Sequence, residues 1–279
     1  MNPSNSLEQK LFNIKDKISV SKTNSIVRDR IKNIDLNKSR KGLLKDKTFL
    51  IKDNIAIKNE YLTCASNILE SYKSPYNATV IDRINNEGGV IVGQTNCDEF
   101  AMGSSSEFSI YGAVKNPFNL KLVAGGSSGG SAAAIAEGLS DIALGSDTGG
   151  SVRQPAAFCG IYGLKPSYGR ISRYGLVAHA SSFDTIGIMS KSIKDVYSTF
   201  CAISGKDHKD STSVDINFPK ISSFENVKLP KSVGIINDRI LNQVNVEIVE
   251  KYRQLVDYLK SKKVQIIEID LPYFEYCIP

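Results

Sequence analysis

Tryptophan is absent from this 279-residue chain, and histidine occurs only twice, as His179 and His208. Two histidines cannot build a multi-histidine metal centre, so the sequence predicts no metal site of that kind. They also leave only two candidates for the base of a serine–histidine–aspartate hydrolase. The chain has no apolar run of about 18 residues, and its polar start from Met1 to Lys10 lacks an apolar core. We therefore expect neither a transmembrane helix nor a secretory signal.

Cysteine is scarce and dispersed. The five cysteines form no Cys-x-x-Cys pair and are odd in number; they are Cys64, Cys97, Cys159, Cys201 and Cys277. This distribution favours reduced thiols in a cytoplasmic protein over a disulfide framework or a zinc site. Cys159 follows the apolar run Ala156–Phe158, and we expect it to be a buried residue with no chemical role.

The composition is that of a globular chain, with 41% hydrophobic and 23% charged residues. The length suits one large domain or two ordinary ones. The net charge of +6 is concentrated in residues 1–50, which hold 12 basic and 5 acidic groups. Such a segment can contact an RNA backbone or an acidic partner. Its basic residues are not interleaved with aromatic ones, so a solvated helical face is the favoured interpretation.

Glycine is concentrated in one part of the chain, since 18 of the 21 glycines lie between Gly88 and Gly187. Glycine allows positive φ angles and close backbone approach, at an entropic cost. The same block contains apolar segments such as Ala132–Ala136, which a disordered linker would not. The pattern therefore indicates a site built from backbone.

Helices alternate with short apolar strands, which predicts an α/β sheet covered by helices on both faces. Capping residues mark two helix starts, Ser6 with Gln9 and Ser192 with Asp195. We expect Lys206–Lys231 to be a long surface loop. The predicted helices are 6–20, 79–86, 131–137, 192–203 and 244–262, the last with Ile248, Tyr252, Leu255, Val256 and Leu259 on its apolar stripe. The predicted strands are 48–51, 90–92, 142–144, 232–236 and 264–269.

The glycine block contains the spacing G-x-S-x-G at Gly125–Gly129, which is typical of the nucleophile elbow of α/β-hydrolases, with Ser127 as nucleophile. That mechanism would need His179 or His208 as its base, and neither lies in a sequence context that supports the role. A phosphate-binding loop is the other alternative, but the pattern G-x-x-x-x-G-K-[ST] does not occur.

A second serine changes this interpretation. Ser151 lies 24 residues after Ser127, within Gly-Ser-Asp-Thr-Gly-Gly-Ser-Val-Arg-Gln-Pro-Ala, and the segment Ile51–Ile55 reads Ile-Lys-Asp-Asn-Ile. Together with Gly-Gly-Ser-Ser-Gly-Gly-Ser at 125–131, these stretches resemble the amidase signature family. The resemblance implies that family's fold, a mixed β-sheet with helices on both faces, incomplete at the C-terminus of this chain.

The resemblance also implies roles for individual residues. Ser151 would be the nucleophile, Ser127 a bridging serine preceded by a cis peptide bond, and Lys52 the base, which must be neutral and therefore buried. The N–H groups of Thr148, Gly149 and Gly150, with that of Ser151, would form the oxyanion hole. For substrate binding the candidates are Ser128 and Gly129.

Further stretches at 95–105, 116–118 and 163–178 resemble the A subunits of glutamyl-tRNA(Gln) amidotransferases. This resemblance implies a cytoplasmic heterotrimer that also contains the B and C subunits, in which the chain hydrolyses glutamine to supply ammonia. The partner subunit would use ATP and Mg²⁺ to convert Glu-tRNA(Gln) to Gln-tRNA(Gln), and Asp-tRNA(Asn) would be a second target. No cofactor, membrane or DNA is expected at this chain.

The sequence departs from the family in several places. Cys97 replaces a methionine, Phe183–Ile188 replaces the usual Leu-Asp-Gln-x-Gly-Pro, the segment before Lys52 is short, and the residues that recognise glutamine have no counterpart. We interpret 1–279 as the N-terminal portion of one amidase domain, with a helical start at 1–47, a catalytic core at 48–205 and a further α/β segment at 206–279. Two alternatives stay open: a stand-alone amide hydrolase, and an inactive fragment.

Overall fold

In the computed structural model the protein is described at residues 6–215, 228–242 and 244–273. The chain divides into two compact units, Met1–Phe218 and Pro219–Pro279. Our assignment of residues 1–279 to one domain stays a prediction. Within the described ranges, no helix is both long and apolar enough to cross a bilayer.

The first unit contains a six-stranded sheet with the strand order β1-β3-β2-β6-β8-β7. The central strand β2 is parallel to its neighbours β3 and β6, whereas β1, β7 and β8 pair antiparallel. The predicted mixed sheet is therefore confirmed. Its strands are β1 (Ile26–Asp29), β2 (Thr48–Lys52), β3 (Val90–Thr95), β6 (Ile142–Asp147), β7 (Tyr162–Leu164) and β8 (Thr185–Ser190), and a separate hairpin consists of β4 (Lys115–Asn116) and β5 (Asn119–Val123).

Helices cover the sheet on both faces. The helices of this unit are α1 (Leu7–Val20), α2 (Thr79–Asn86), α3 (Gly129–Glu137), α4 (Arg153–Phe158) and α5 (Ile193–Ile203). As predicted, Ser6 Oγ accepts a hydrogen bond from the Gln9 N–H, and Ser192 Oγ accepts one from the Asp195 N–H. These bonds satisfy backbone donors that the first helical turn leaves unpaired.

The two hydrophobic cores follow from the alternation of side chains along the strands. Phe49 and Ile51 of β2 pack in one core with residues of α2 and α5, while Leu50 packs in the other with residues of α1 and α3. Lys52 lies two residues after Leu50 on β2, so the two side chains point to the same face of the sheet. The strand pattern therefore directs the lysine side chain toward the face that α3 covers.

The second unit contains two parallel strands, β9 (Ser232–Ile236) and β10 (Gln265–Ile269), joined through α6 (Asp238–Leu241) and α7 (Val246–Ser261). The predicted apolar stripe of α7 is wrong in part. Its buried residues are Val249 and Val256, whereas Ile248 is 61% and Leu255 55% exposed. Val249 and Val256 are seven residues apart, so the buried seam is narrower than the stripe that we expected.

The prediction of a surface loop over Lys206–Lys231 is also wrong in its first part. Asp207, Asp210 and Ser213 are buried, and the Asp207 carboxylate accepts hydrogen bonds from the hydroxyls of Thr79 and Ser172. The buried Asp207 carboxylate has lost its hydration, and these hydrogen bonds compensate for that loss. They also attach the segment to the rest of the first unit. Residues 216–227 of the predicted loop lie outside the described residues.

Candidate active site

Lys52 lies at the carboxyl end of β2, and its side chain is fully buried. Its Nζ is 2.7 Å from Ser127 Oγ, 3.0 Å from Ser128 Oγ and 2.9 Å from Ser146 Oγ. The turn before α3 supplies the first two hydroxyls, and β6 supplies the third. The fold thus surrounds one amine with three serine hydroxyls.

Burial lowers the pKa of Lys52 from its ordinary value of 10.5 to about 8, because a charged ammonium loses hydration in the interior. Two buried thiols lie near this amine. Burial raises the pKa of Cys97 to about 12, and burial also raises the pKa of Cys64. Both thiols are therefore neutral near pH 7 and do not hold the lysine in its charged form. Cys159 is buried as expected, and burial raises its pKa to about 12 as well.

The chain that follows Lys52 is held by Asp53. The buried Asp53 carboxylate accepts a hydrogen bond from Arg28 Nη1 at 2.8 Å, a second from the Thr63 hydroxyl, and a third from Gln94 Nε2 at 3.3 Å. These donors come from β1, the loop after β2, and β3. The network fixes the direction in which the chain leaves β2 and so positions Asn54.

The peptide bond between Gly126 and Ser127 is cis, as the family resemblance implies. The segment around it is closely packed. The Ser127 carbonyl accepts a hydrogen bond from the Asp98 N–H at 3.2 Å, and the Gly126 N–H donates to Gln154 Oε1 at 2.9 Å. A Cβ atom on Gly126 would lie 2.2 Å from Asp98 Oδ2, so this position requires glycine.

Ser128 and Gly129 are buried, and our expectation that they contact substrate stays a prediction. Ser128 Oγ donates to the Ser146 carbonyl at 3.1 Å and receives hydrogen bonds from Lys52 and from the Ser146 N–H. The Gly129 N–H donates to Ser106 Oγ at 3.0 Å. These polar groups are thus hydrogen-bonded inside the protein.

Asp147 organises the loop that carries Ser151. Its carboxylate accepts hydrogen bonds from the N–H groups of Gly150 at 2.8 Å and Val152 at 3.0 Å. It also pairs with the Arg153 guanidinium, with Nη2 at 2.9 Å. Burial alone would raise the pKa of Asp147, but the hydrogen bonds from Arg153 and Val152 hold it below its ordinary value. The carboxylate is therefore charged at neutral pH.

This arrangement engages one of the expected oxyanion donors, and the role of Gly150 in an oxyanion hole stays a prediction. The Gly150 N–H points to Asp147, and an N–H group that serves a carboxylate is not available to a substrate oxygen. The N–H groups of Gly149 and Ser151 make no hydrogen bond to any residue in the described ranges. Gly149 is exposed, and a Cβ atom there would meet nothing within 4 Å.

Ser151 itself is half-buried. Its carbonyl accepts a hydrogen bond from the Ser128 N–H at 3.2 Å, which brings the two serine segments together. The Ser151 hydroxyl makes no hydrogen bond with another described residue. The structure therefore links Lys52 directly to Ser127, and links Ser151 to the same group of residues through its backbone.

Asp184 fixes the other side of this loop. It accepts a hydrogen bond from the Thr148 hydroxyl and further bonds from the N–H groups of His179 and Ala180. It belongs to the segment 183–188, where the sequence departs from the family. Its successor Thr185 begins the buried strand β8, which lies between β6 and β7, so residues 185–188 of this segment form part of the sheet.

The histidines take no part in this arrangement. His208 is 89% exposed beside Asp207, and His179 contributes its backbone N–H to Asp184. Neither imidazole contacts Ser127 or Ser151 among the described hydrogen bonds. Within the described residues, no group of three or more His, Cys, Asp or Glu side chains could hold a metal ion.

The sequence motifs assigned no site role to Asn54, Asp98, Ser146 and Asp147. Asn54 and Asp147 each lie two to four residues from a predicted catalytic residue, which is a signal that could have identified them. Asp98 has no such signal, because only the folded chain brings it beneath Gly126.

Comparisons with known proteins agree with this geometry. The sequence model of the amidase family matches residues 11–279. The A subunit of the Chlorobium phaeobacteroides glutamyl-tRNA(Gln) amidotransferase is 48% identical over 242 residues, which are 85% of this chain and 50% of that relative. The protein of the same name from Sulfurisphaera tokodaii is 45% identical over 266 residues, 95% of this chain and 54% of its own. The chain spans about half the length of the curated relatives it matches.

Solved structures give the same result. The A subunit of the Thermotoga maritima glutamyl-tRNA(Gln) amidotransferase superposes with a TM-score of 0.89 at 37% identity, over 97% of this chain and 60% of that one. The urea amidolyase of K. lactis superposes with a TM-score of 0.81 at 28% identity, over 96% of this chain and 17% of that one. With the family match extending from residue 11 to residue 279, the chain belongs to the amidase family.

Proposed function

We propose that this chain carries an amide-cleaving site in which Ser151 is the nucleophile, Ser127 transfers the proton and Lys52 is the base. The observation that carries the proposal is the 2.7 Å contact between Lys52 Nζ and Ser127 Oγ inside a buried site. A serine hydroxyl attacks an amide efficiently only when a neighbouring base removes its proton. A lysine with a pKa of about 8 has a neutral fraction at physiological pH that can do this.

In the proposed reaction, Ser151 Oγ forms a bond to the amide carbon while its proton passes through Ser127 to Lys52. The carbonyl oxygen becomes an oxyanion, and the N–H groups of Gly149 and Ser151 are its proposed donors, with Thr148 beside them. Lys52 returns the proton through Ser127 to the amide nitrogen, and ammonia leaves. Water then releases the acyl group by the same sequence of transfers.

For the substrate we propose glutamine, whose side-chain amide would acylate Ser151 as a γ-glutamyl ester. The names of the relatives support this substrate, since they are A subunits of glutamyl-tRNA(Gln) amidotransferases at 45–50% identity. In such a complex the ammonia would pass to the B subunit, which together with the C subunit would use ATP and Mg²⁺ to amidate Glu-tRNA(Gln). We propose no cofactor for this chain itself.

The test is ammonia release from glutamine by this chain, alone and with the B and C subunits of a related amidotransferase. We expect release in the presence of the partners and its loss in Ser151→Ala. The matched control is Ser39→Ala, which removes an exposed hydroxyl and should leave the rate unchanged. Ammonia release that persists in Ser151→Ala would refute the assignment of the nucleophile.

The two alternatives give different results in the same assay. A stand-alone amide hydrolase would cleave small amides without partners, and an inactive fragment would release no ammonia under any condition. The comparisons do not favour the first, because the curated relatives at 45–48% identity carry the amidotransferase name.

A further inference from the structure

The three hydroxyls around Lys52 are not equivalent. A neutral lysine amine has two N–H donors and one lone pair, so it can donate to two hydroxyls and accept from one. The base can take a proton that originates on Ser151 only if its lone pair faces Ser127. The hydrogen bonds of the other two hydroxyls, Ser128 and Ser146, decide whether it does.

Ser128 cannot use the lone pair. Its hydroxyl proton is directed to the Ser146 carbonyl at 3.1 Å, and its oxygen also faces the Ser146 N–H at 3.3 Å. A hydroxyl has a single proton to donate. Ser128 Oγ therefore only accepts from Lys52, which occupies one of the two amine N–H groups.

Ser146 depends on Asn54. Asn54 Nδ2 lies 2.9 Å from Ser146 Oγ, and the Asn54 Oδ1 atom is buried with no hydrogen-bond partner among the described residues. While Nδ2 donates to Ser146, the remaining hydrogen-bond neighbour of the Ser146 hydroxyl within the described ranges is Lys52 Nζ, at 2.9 Å. That bond would occupy the lone pair and exclude Ser127. A 180° rotation of the amide group exchanges the positions of Oδ1 and Nδ2. In that orientation Oδ1 accepts the Ser146 hydroxyl proton, and the Lys52 lone pair is free.

We propose that Asn54 and Ser146 are a positioning pair: Asn54 Oδ1 accepts the Ser146 hydroxyl proton, so that Ser146 accepts from Lys52 and the lysine lone pair faces Ser127. The inference rests on the proposed function, because it assumes that Lys52 is the base for Ser151. In this arrangement Asn54 and Ser146 act through Lys52, and they determine which serine hydroxyl donates to its lone pair.

The test uses the full chain and a sulfonyl fluoride, which reports on the nucleophile without needing glutamine recognition. Ser151 Oγ forms a bond to sulfur, fluoride leaves, and the hydroxyl proton passes to Lys52. In Asn54→Ala the Ser146 hydroxyl donates its proton to the lysine lone pair. We therefore expect labelling to slow by about tenfold or more, which is a partial loss of the roughly 10²–10⁴-fold that general-base catalysis contributes. In Ser146→Ala the competitor is gone, and the loss should be smaller.

The decisive variant is Asn54→Ala combined with Ser146→Ala. We expect it to react faster than Asn54→Ala alone, because deletion of the Ser146 hydroxyl removes the competition for the lone pair. A merely structural role predicts the opposite, with the double variant slower than either single one. Ser146→Thr, which keeps a hydroxyl, should restore most of the rate.

Ser140→Ala is the matched control, because it removes a buried hydroxyl just before the other end of β6, where it donates to the Ile142 carbonyl. It should label like the unmodified chain. A double variant slower than Asn54→Ala, or Asn54→Ala within about twofold of the unmodified chain, would overturn the inference alone. Labelling that Ser151→Ala does not abolish would overturn the proposed function and this inference with it.

Discussion

Lys52 Nζ lies 2.7 Å from Ser127 Oγ, although 75 residues separate the two positions in the chain. The lysine ends a central strand, and the serine stands in the turn that opens α3. Because the strand is hydrogen-bonded on both sides and the turn is packed against Asp98, neither partner can shift without its neighbours. The contact is therefore a product of the sheet rather than of mobile surface groups.

The rate of Ser151 modification should depend on pH through Lys52. The base is active when neutral, so labelling by a sulfonyl fluoride should rise about tenfold per pH unit below pH 8 and level off above it. Lys52→Gln should react slowly at every pH. Lys32→Gln, which changes an exposed lysine, should keep the profile of the unmodified chain. A Lys52→Gln variant with an unaltered profile would exclude Lys52 as the base.

The free energy of unfolding should also depend on pH through this lysine. Its pKa is about 8 in the folded chain against an ordinary 10.5, so the unfolded chain binds more protons between these values. The free energy of unfolding should therefore rise with pH across this window. In Lys52→Met this contribution is absent. Urea unfolding measures the free energy of unfolding of both proteins at pH 7.5 and at pH 10.5. The difference in this free energy between the unmodified chain and Lys52→Met should change by up to about 3 kcal/mol between the two pH values. No change would mean that the amine is not desolvated.

Asp147→Asn should open the loop that carries Ser151. An amide cannot accept all the bonds that the carboxylate receives from Gly150, Val152 and Arg153, so we expect a loss of about 2–3 kcal/mol of stability. Because hydrogen bonding holds the pKa of Asp147 below 3.8, this stabilisation is present at neutral pH and is lost in acid.

The comparison variant is Arg153→Gln. The Arg153 side chain is half exposed, and its loss should cost less than about 1 kcal/mol. Chemical denaturation measures both variants. Equal losses would mean that the ion pair, and not the backbone donors, accounts for the stabilising effect of Asp147.

Gly126→Ala should destabilise the protein, because the new methyl group would lie 2.2 Å from Asp98 Oδ2 and 2.7 Å from the Ser105 nitrogen. Overpacking of this kind costs roughly 1–3 kcal/mol. Gly149→Ala is the matched substitution in the neighbouring loop, where a Cβ atom meets nothing within 4 Å. We expect a lower melting temperature for the first and an unchanged one for the second. Similar melting temperatures would contradict the close packing around Gly126.

The sequence patterns predicted three of the six strands of the sheet, β2, β3 and β6, and missed β1, β7 and β8. The helix at 79–86 and the strand at 232–236 have the predicted bounds, and Ser6 and Ser192 cap their helices as expected. Strand ends were placed too early at Ile51, Val92 and Leu144, because the last residues of these strands are polar or glycine and carry no hydrophobic signal. The polar ends are the part that forms the site.

The sequence predicted which catalytic residues form the site, but it did not predict the hydrogen bonds that they make. The motifs pointed to Lys52, Ser127 and Ser151, and the structure brings the first two into contact. Nothing in the sequence indicated that the carboxylate of Asp147, three residues before Gly150, accepts a hydrogen bond from the Gly150 N–H. Nor did the sequence indicate that the folded chain buries Ser128 and Gly129, for which substrate binding stays a prediction. Such competition between partners depends on distances that sequence spacing does not contain.

The place of Lys52 on β2 limits how the chain can vary. Successive side chains of a strand point to opposite faces, so one residue inserted or deleted between Thr48 and Lys52 would turn the amine away from Ser127 and into the apolar core beside α2 and α5. Over evolutionary time, the number of residues within this strand should therefore stay constant.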